Sequence, residues 1–253
     1  MLKSIFRISL FQCFLICFFN LKAQVINIES KRFLNDTDGW VGNSDFVLSM
    51  IQNTQQIISF SNTTRIQYQE GKHKFLFLND IGFVKAGNVN FVNAGYQHIR
   101  YNFKLQNRLT MEAFVQTQYN PILKLDFRFL YGVGPRFKII KQNNVRIYAA
   151  SLIMYEHDLI KNNPVPEQAT RASFYISSTF LSKQNFELTT TSYYQPKIGE
   201  GSDYRFANDT SLEIFINKHI NYKTSLNLLY DTKQPTDIPD LVYTFRNGLT
   251  FKF

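Results

Sequence analysis

The most regular stretch of the chain is its C-terminus, residues 241–253, where apolar and polar positions alternate. A β-strand with this period of two has one apolar face and one polar face. A free amphipathic strand with an aromatic end would aggregate in water, whereas in a closed barrel the apolar face contacts lipid and both edges are paired. One set of alternate positions carries the apolar side chains and one asparagine: Leu241, Tyr243, Phe245, Asn247, Leu249, Phe251 and Phe253.

Similar alternation recurs from Trp40 onwards, in segments separated by polar, Gly, Pro or Asn breaks. The number of segments is even, as expected for a single-chain bacterial barrel with both termini on the same side. The sequence therefore predicts an all-β fold, a transmembrane antiparallel β-barrel of about twelve strands. The predicted strands cover residues 40–51, 57–69, 74–85, 90–103, 109–119, 124–140, 145–156, 169–181, 186–196, 203–216, 220–232 and 241–253.

The predicted connections provide a second test of this strand count. Short periplasmic turns and longer external loops are typical of outer-membrane barrels, and a soluble β-sandwich is not expected to show this asymmetry. If the first strand runs outward, the long connections are all external: 157–168, 197–202 and 233–240. The periplasmic turns would then all be short: 70–73, 104–108, 141–144, 182–185 and 217–219.

The N-terminus has the features of a secretory signal. Lys3 and Arg7 precede an apolar run from Ile8 to Phe19, and Ala23 marks an expected cleavage site. The apolar run is shorter than the ~20 residues of a spanning helix. We therefore expect a cleaved signal peptide at 1–23, a lead-in at 24–39 that lies in the periplasm or folds under the barrel mouth, and a barrel at 40–253. This organisation predicts export through the periplasm to the outer membrane of a Gram-negative bacterium.

Composition agrees with a membrane barrel and excludes several chemistries. The chain is 44% hydrophobic and 16% aromatic, and strands that are apolar on one face explain this richness without a spanning helix. Both cysteines, Cys13 and Cys17, fall in the signal peptide, so we expect a mature chain without disulfides, thiolate metal sites or cysteine nucleophiles.

The net charge does not point to nucleic acid as a partner. Without the three basic residues of the signal peptide, the Lys and Arg count falls from 28 to 25 against 19 acidic residues. This mild excess contains no dense basic run, which a nucleic-acid-binding surface would be expected to show. The expected partners are outer-membrane lipid and the machinery that assembles barrels.

Strand parity also predicts which charged side chains face the lumen. Nine are basic and eight acidic, so they can pair across a narrow lumen and fill it, whereas an anion-selective channel would be expected to leave one sign in excess. We favour a largely filled lumen. The alternative is a narrow diffusion channel for small solutes such as anions, lined by Arg128, Arg136, Arg205 and Arg246. The inward set is Arg65, Arg100, Arg128, Arg136, Arg146, Arg171, Arg205, Lys223 and Arg246 with Asp80, Glu112, Asp126, Glu156, Glu187, Asp209, Glu213 and Asp231.

The same parity predicts an outward apolar ladder in the sixth strand. Two glycines of that strand, Gly132 and Gly134, are expected to allow close backbone approach or bending of the barrel wall. The ladder is Leu125, Phe127, Phe129, Tyr131 and Val133.

Catalytic motifs are scarce, and we expect no enzyme, cofactor or metal site. The remote alternative is a surface hydrolase in which His157 and Asp158 activate water at a strand end. A membrane phospholipase would need a serine and histidine close together, but no His-x-Ser sequence occurs. The four histidines are too scattered to give metal-ligand spacing.

Several motifs together carry a resemblance to a known family. They include Gly132-Val133-Gly134-Pro135-Arg136, Met154-Tyr155-Glu156, Tyr193-Tyr194-Gln195-Pro196 and Ser202-Asp203-Tyr204-Arg205. In these the chain resembles domain-of-unknown-function family 481, the YdiY-like, salt-induced outer-membrane proteins, in a Bacteroidetes-type form. The resemblance implies a barrel, an outer-membrane address and a role in the envelope or in salt stress, and it supplies no catalytic residues.

The C-terminal strand resembles the signal by which the assembly machinery recognises outer-membrane barrels. The residues that carry this resemblance are Tyr243, Phe245, Leu249, Phe251 and Phe253.

Overall fold

A computed structural model describes residues 26–32, 38–52, 56–182, 185–217, 219–234 and 238–251. Twelve antiparallel strands form one sheet, in which each strand pairs with its neighbours along the chain. Two short 3-10 helices, Glu29–Lys31 and Pro121–Leu123, accompany them. The strands are β1 (Gly39–Gln52), β2 (Gln56–Glu70), β3 (His73–Ala86), β4 (Val89–Lys104), β5 (Leu109–Asn120), β6 (Leu125–Lys141), β7 (Val145–Ile160), β8 (Glu167–Ser182), β9 (Phe186–Lys197), β10 (Glu200–Phe215), β11 (Ile220–Asp231) and β12 (Leu241–Phe251).

All twelve predicted strands are confirmed. The signal peptide, part of the lead-in and the final residue Phe253 lie outside the described residues, so the predictions made for them stay predictions.

The sheet curls so that its polar face encloses an interior. The Tyr175 hydroxyl on β8 donates to Glu112 Oε2 on β5 at 2.8 Å, across strands that are not neighbours. An interior cavity is lined jointly by β3, β4 and β9 to β12. Within the described ranges β1 pairs with β2 and β12 with β11, and closure between β1 and β12 stays a prediction.

Polarity is inverted relative to a water-soluble protein. The outer face is apolar, and on β12 the predicted outward residues Tyr243, Phe245, Leu249 and Phe251 are 52–58% exposed. The interior instead buries charged side chains such as Arg100, which is 4% exposed. Soluble proteins rarely bury charges and seldom expose large apolar areas, whereas a barrel in lipid requires an apolar exterior.

In the part of the chain that the structure describes, no helix is both long enough and apolar enough to span a bilayer.

Polar side chains that interrupt the apolar outer face bond to one another. Asn79 Nδ2 donates to Asn62 Oδ1 at 2.5 Å, Gln97 Nε2 donates to Asn79 Oδ1 at 3.0 Å, and Thr117 Oγ1 donates to Gln97 Oε1 at 2.8 Å. Asn208, which the alternation places outward among apolar residues, donates to Ser192 Oγ at 2.9 Å. These bonds reduce the free-energy cost of placing amide groups on an apolar surface.

The connections define two ends of the barrel. We call the end with the β2–β3, β4–β5, β6–β7, β8–β9 and β10–β11 connections the turn end, and the opposite end the loop end. All turn-end connections are short, as predicted. The longest loop-end connection joins Asp231 to Leu241, and another joins Ile160 to Glu167. The predicted long connection at 197–202 is wrong, because β9 and β10 continue into a tight turn at Ile198 and Gly199, whose φ is +88°.

One predicted face is also wrong, at the start of β6. The register with β7 shifts between Leu125 and Phe127, and the register with β5 shifts between Gln118 and Asn120, so Asp126 has no partner in either ladder. Leu125, predicted to be outward, is 7% exposed, and Asp126, predicted to line the lumen, is exposed. A β-bulge of this kind reverses the parity on which face assignment depends.

Gly134 permits the close backbone approach that the sequence predicted. A Cβ on Gly134 would lie 2.2 Å from the Ser151 carbonyl oxygen and 2.6 Å from Leu152 Cα. On Gly132 it would lie 2.6 Å from the Phe114 ring. The glycines therefore let β7 and an interior aromatic ring pack directly against β6.

Candidate functional site

The N-terminal segment 26–32, which we call the plug, lies inside the barrel. Ile26, Ile28 and Glu29 are 8%, 3% and 9% exposed. Glu29 contacts side chains from β4, β6 and β8. The prediction that the lead-in lies in the periplasm or under the barrel mouth is therefore wrong for these residues. The physical reason is that the charged side chains of the barrel interior offer buried partners of opposite sign to Glu29, Lys31 and Arg32.

The plug is held by a group of five charged residues and one tyrosine that we call the plug cluster. It comprises Glu29, Arg32, Arg100, Glu112, Arg136 and Tyr175. Glu29 Oε2 lies 2.8 Å from Arg136 Nη2, and Glu29 Oε1 lies 3.1 Å from Arg100 Nη1. Arg32 Nη2 lies 2.5 Å from Glu112 Oε1, so the plug supplies both an anion and a cation to the wall. Buried charges are tolerated only when they are paired in this way.

The charged state of Glu29 depends on these arginines. Burial by itself raises the pKa of the Glu29 carboxyl, but the guanidinium groups of Arg136 and Arg32 outweigh burial and hold this pKa below its usual value of 4.5. Glu29 is therefore an anion at neutral pH. Its negative charge fixes the plug to the barrel wall.

His98 occupies the middle of the interior. It is 1% exposed, and its Nε2 accepts a bond from Arg100 Nε at 3.2 Å. Because Nε2 accepts, the neutral ring carries its proton on Nδ1 and donates it to Gln116 Oε1 at 2.9 Å. The adjoining cavity, bounded by Ile28, Leu152 and other side chains, has a volume of about 50 Å³. The interior at this level is therefore nearly filled.

A second group of charged residues, which we call the loop-end cluster, lies near the loop end of the barrel. Arg128 Nε and Nη2 donate to the two oxygens of Asp158 at 2.7 and 2.5 Å. Arg205 donates to Asp231 at 2.6 Å and also bonds to Glu156. Arg128 faces Asp158, and Arg205 faces Asp231, as direct cross-strand pairs. Members of the cluster have side chains at most 11% exposed: Arg128, Glu156, Asp158, Arg171, Asp203, Arg205 and Asp231.

A lateral cavity of about 620 Å³ lies beside the plug. The plug contributes Ile26, Asn27 and Lys31 to its wall. Lys31 Nζ lies 3.2 Å from Asp80 Oδ2, which joins the plug to β3. Six of the predicted lumen residues line this cavity: Asp80, Glu187, Asp209, Glu213, Lys223 and Arg246.

The predicted lumen residues thus separate into distinct environments. Arg100, Glu112 and Arg136 belong to the plug cluster, and Arg128 and Arg205 belong to the loop-end cluster. Arg65 is half-buried on β2, where its Nε donates to Asn43 Oδ1 at 3.1 Å. Asp126, which was predicted to line the lumen, lies outside it.

Sequence reasoning missed Glu29 and Arg32, which lie outside the strands and so escape strand parity. It also missed Tyr175, because a tyrosine in an alternating strand is equally expected on the lipid face. One signal for Glu29 and Arg32 was present in the sequence, because they follow the apolar residues Ile26 and Ile28 in the polar lead-in.

His157 and Asp158 do not form a catalytic pair in this fold. Asp158 is 2% exposed and bound to Arg128 in the interior. His157 faces Phe129 of β6 on the outer side of the strand. Adjacent residues of a strand point to opposite faces, so the two side chains cannot act on one substrate.

Metal-ligating side chains are not grouped in the described ranges: no three His, Cys, Asp or Glu residues there are placed to hold an ion.

Fold and site together define an antiparallel β-barrel with an internal N-terminal plug. Residues 48–253 match the family described as "Protein of unknown function, DUF481". The chain belongs to this family. No curated protein matches the chain.

Three solved structures are similar at low sequence identity. A NanC porin has a TM-score of 0.46 at 10% identity, with 85% of this chain and 99% of that chain covered. A bacterial polysaccharide outer membrane secretin has a TM-score of 0.42 at 12% identity, with 85% and 91% covered. A KdgM porin in complex with disordered oligogalacturonate has a TM-score of 0.40 at 7% identity, with 84% and 99% covered.

Proposed function

We propose that this protein is a non-enzymatic outer-membrane β-barrel whose lumen is largely filled by the plug and the two clusters. Its role in this proposal is to support envelope structure or the response to salt stress. The observation that carries this proposal is the burial of Glu29 between Arg100 and Arg136. A segment anchored to β4, β5, β6 and β8 obstructs solute passage along that part of the lumen. An exterior of exposed aromatic and aliphatic side chains supports placement in a membrane.

The orientation follows the rule for bacterial barrels. Short turns face the periplasm and longer loops face outward, which places the turn end and the plug cluster on the periplasmic side. The C-terminal strand, with its outward aromatic residues, would be the part recognised by the assembly machinery. The proposal also includes export by a cleaved signal peptide, a Gram-negative bacterial source of the Bacteroidetes type, and a salt-induced role.

A narrow diffusion channel is the second candidate. It is supported by the lateral cavity of about 620 Å³, which is lined by charged side chains of both signs. A continuous path through this cavity would bypass the plug. Arg246 would then influence the selectivity, whereas Arg128, Arg136 and Arg205 are engaged in ion pairs.

Single-channel conductance of the refolded mature protein in a planar bilayer tests the proposal. Folding is verified first by the altered gel migration of the unheated barrel. A folded but silent protein supports the filled lumen, and steady ion-selective openings overturn it in favour of the channel.

If openings occur, selectivity identifies the path. Arg246→Glu is expected to shift the preference towards cations because it reverses a charge at the lateral cavity. Lys161→Glu makes the same charge change in the β7–β8 connection and serves as the control. Equal selectivity in both variants would exclude the lateral cavity as the conducting path.

A further inference from the structure

A row of polar side chains crosses the apolar outer face of the barrel. Its members lie on five consecutive strands, and each is the direct cross-strand partner of the next. On β3 and β4 the row passes near the middle of the strand, because Asn79 is the seventh of the 14 residues of β3 and Gln97 the ninth of the 16 residues of β4. The row, which we call the outer polar row, is Ser44, Thr64, Asn79, Gln97 and Thr117.

The outer polar row faces away from the lumen. Leu78 and His98, which precede Asn79 and follow Gln97, are each 1% exposed and lie in the interior. Because adjacent residues of a strand point to opposite faces, Asn79 and Gln97 point outward. Ile99 lies on the same face two positions after Gln97 and is 55% exposed. Lipid-facing positions in the apolar band of a barrel are expected to be apolar, so five polar residues in register call for a physical reason.

Hydrogen bonds along the row use only part of its capacity. Gln97 Nε2 donates to Asn79 Oδ1 at 3.0 Å, and Asn79 Nδ2 donates to Asn62 Oδ1 at 2.5 Å. A side-chain amide nitrogen carries two hydrogens, and among the described residues each of these two nitrogens has one acceptor. One N–H of each amide is therefore left for an acceptor outside the chain. Placing such a group in hydrocarbon without a partner costs free energy.

Another polar group on the outer face is satisfied within the chain. Asn208 Nδ2 on β10 donates to Ser192 Oγ at 2.9 Å and to Thr190 Oγ1 at 3.2 Å. Its Oδ1 accepts a bond from Thr210 Oγ1 at 2.9 Å. Both hydrogens of this amide nitrogen thus have acceptors on β9. The comparison identifies the outer polar row as the surface that a partner would complete.

We propose that the outer polar row is the contact between two copies of this chain, which form a symmetric dimer in the membrane. The proposal rests on placement in a membrane and does not require a filled lumen. Two barrels inserted in the same direction can share a two-fold axis only along the membrane normal, and this axis brings the same surface of each copy together. An amide carries both donors and acceptors, so the amides of Asn79 and Gln97 can bond to those of the second copy.

The surroundings of the row fit a second barrel better than lipid. An acyl chain offers no acceptor to the remaining N–H groups. Phe77 and Ile81 lie two positions on either side of Asn79 on the same face, where they can pack around the amides and keep lipid and water away from them. The dimer contact would therefore have a polar centre and an apolar rim.

Single-molecule photobleaching of the refolded mature protein in lipid vesicles tests the dimer by counting the copies in each assembly. The double variant Asn79→Leu and Gln97→Leu removes both amides and keeps the face apolar, and we expect it to weaken dimerisation about tenfold. Wild-type protein that is monomeric at every ratio of protein to lipid overturns the proposal. Gel migration verifies insertion separately, so a monomeric but inserted barrel would refute the dimer and leave the membrane placement intact.

A matched control locates the contact. Asn208→Leu with Ser192→Ala removes hydrogen-bonded polar groups from the same outer face on β9 and β10, and this variant should dimerise as the wild type does. Equal dimerisation by the two double variants would show that the contact lies elsewhere on the barrel and would overturn the proposal.

Cysteine cross-linking tests the symmetry with a single substitution. Residues 24–253 contain no cysteine, so Asn79→Cys adds one thiol to the refolded chain. Near a two-fold axis the two copies of this position approach each other, and mild oxidation should give a disulfide-linked dimer on a non-reducing gel. Asn208→Cys is the control and should remain monomeric. Equal cross-linking of the two variants would exclude an axis at the outer polar row.

Discussion

Glu29 Oε2 lies 2.8 Å from Arg136 Nη2, which joins the plug to a strand 107 positions further along the chain. Arg136 also stacks over the Tyr148 ring, with its guanidinium carbon 3.8 Å from the ring centroid. The same arginine therefore anchors the plug and covers an aromatic side chain of β7. A filled interior follows from contacts of this kind, in which a short segment satisfies charges that the strands bury.

Replacing the plug carboxylate should destabilise the barrel. Glu29→Gln leaves Arg32, Arg100 and Arg136 with only the charge of Glu112, and breaking a buried ion pair costs about 3 kcal/mol or more. We expect the free energy of unfolding to fall by about 3 kcal/mol, measured by urea titration in lipid vesicles with the fluorescence of Trp40.

Glu70→Gln is the matched control for this change. Glu70 is exposed, and its Oε2 accepts a bond from the Tyr68 hydroxyl. We expect a change within about 0.5 kcal/mol. Equal losses in the two variants would contradict the anchoring role of Glu29.

The contribution of Glu29 should depend on pH. Its pKa is lowered in the folded protein by Arg136 and Arg32 despite its burial, so folding favours the deprotonated carboxyl. The stability from this charge is fully present above its usual pKa of 4.5 and is lost as the pH falls through the lower folded value. The difference in melting temperature between wild type and Glu29→Gln should therefore be constant above pH 5 and shrink below about pH 4.5. A difference that does not shrink in acid would refute this linkage.

The loop-end cluster should be more sensitive to substitution than the lateral cavity. Arg205→Gln leaves Glu156 and Asp231 without their shared cation, and we expect a loss of about 3 kcal/mol or more in the free energy of unfolding. Arg246→Gln removes the same charge from an exposed position on β12 and should change stability by less than about 1 kcal/mol. Similar losses, compared by urea unfolding in vesicles, would argue against a buried network at the loop end.

Gly134 should not tolerate a side chain. The Cβ of Gly134→Ala would meet backbone atoms of Ser151 and Leu152, and backbone cannot move aside without breaking the β6–β7 ladder. We expect failure to refold, or a loss of about 3 kcal/mol or more.

Gly248→Ala is the control for this substitution. Gly248 lies on β12, and a Cβ there would meet nothing within 4 Å. We expect it to refold with stability within about 1 kcal/mol of the wild type. Refolding is measured by gel migration before and after heating. Normal refolding of both variants would show that β6 and β7 can move apart to accommodate a Cβ at position 134.

The strands could be predicted from sequence because alternation is a local property. Each strand of a barrel contacts lipid on one face and the interior on the other, so residues such as Phe245 and Arg205 reveal their faces by parity alone. Parity failed at Asp126, where one bulge reversed it, and at the β9–β10 connection, where polar and glycine residues continue the strands into a tight turn.

The sequence by itself therefore determined the number and order of the strands, the apolar outer face and the near balance of charge in the lumen, since all three depend on spacing along the chain. Only the tertiary structure decided which charges meet. The contacts of Glu29 with Arg100 and Arg136, and that of Tyr175 with Glu112, join residues that are distant in sequence. They depend on how the sheet curls and on where the plug enters it, and no local pattern contains that information.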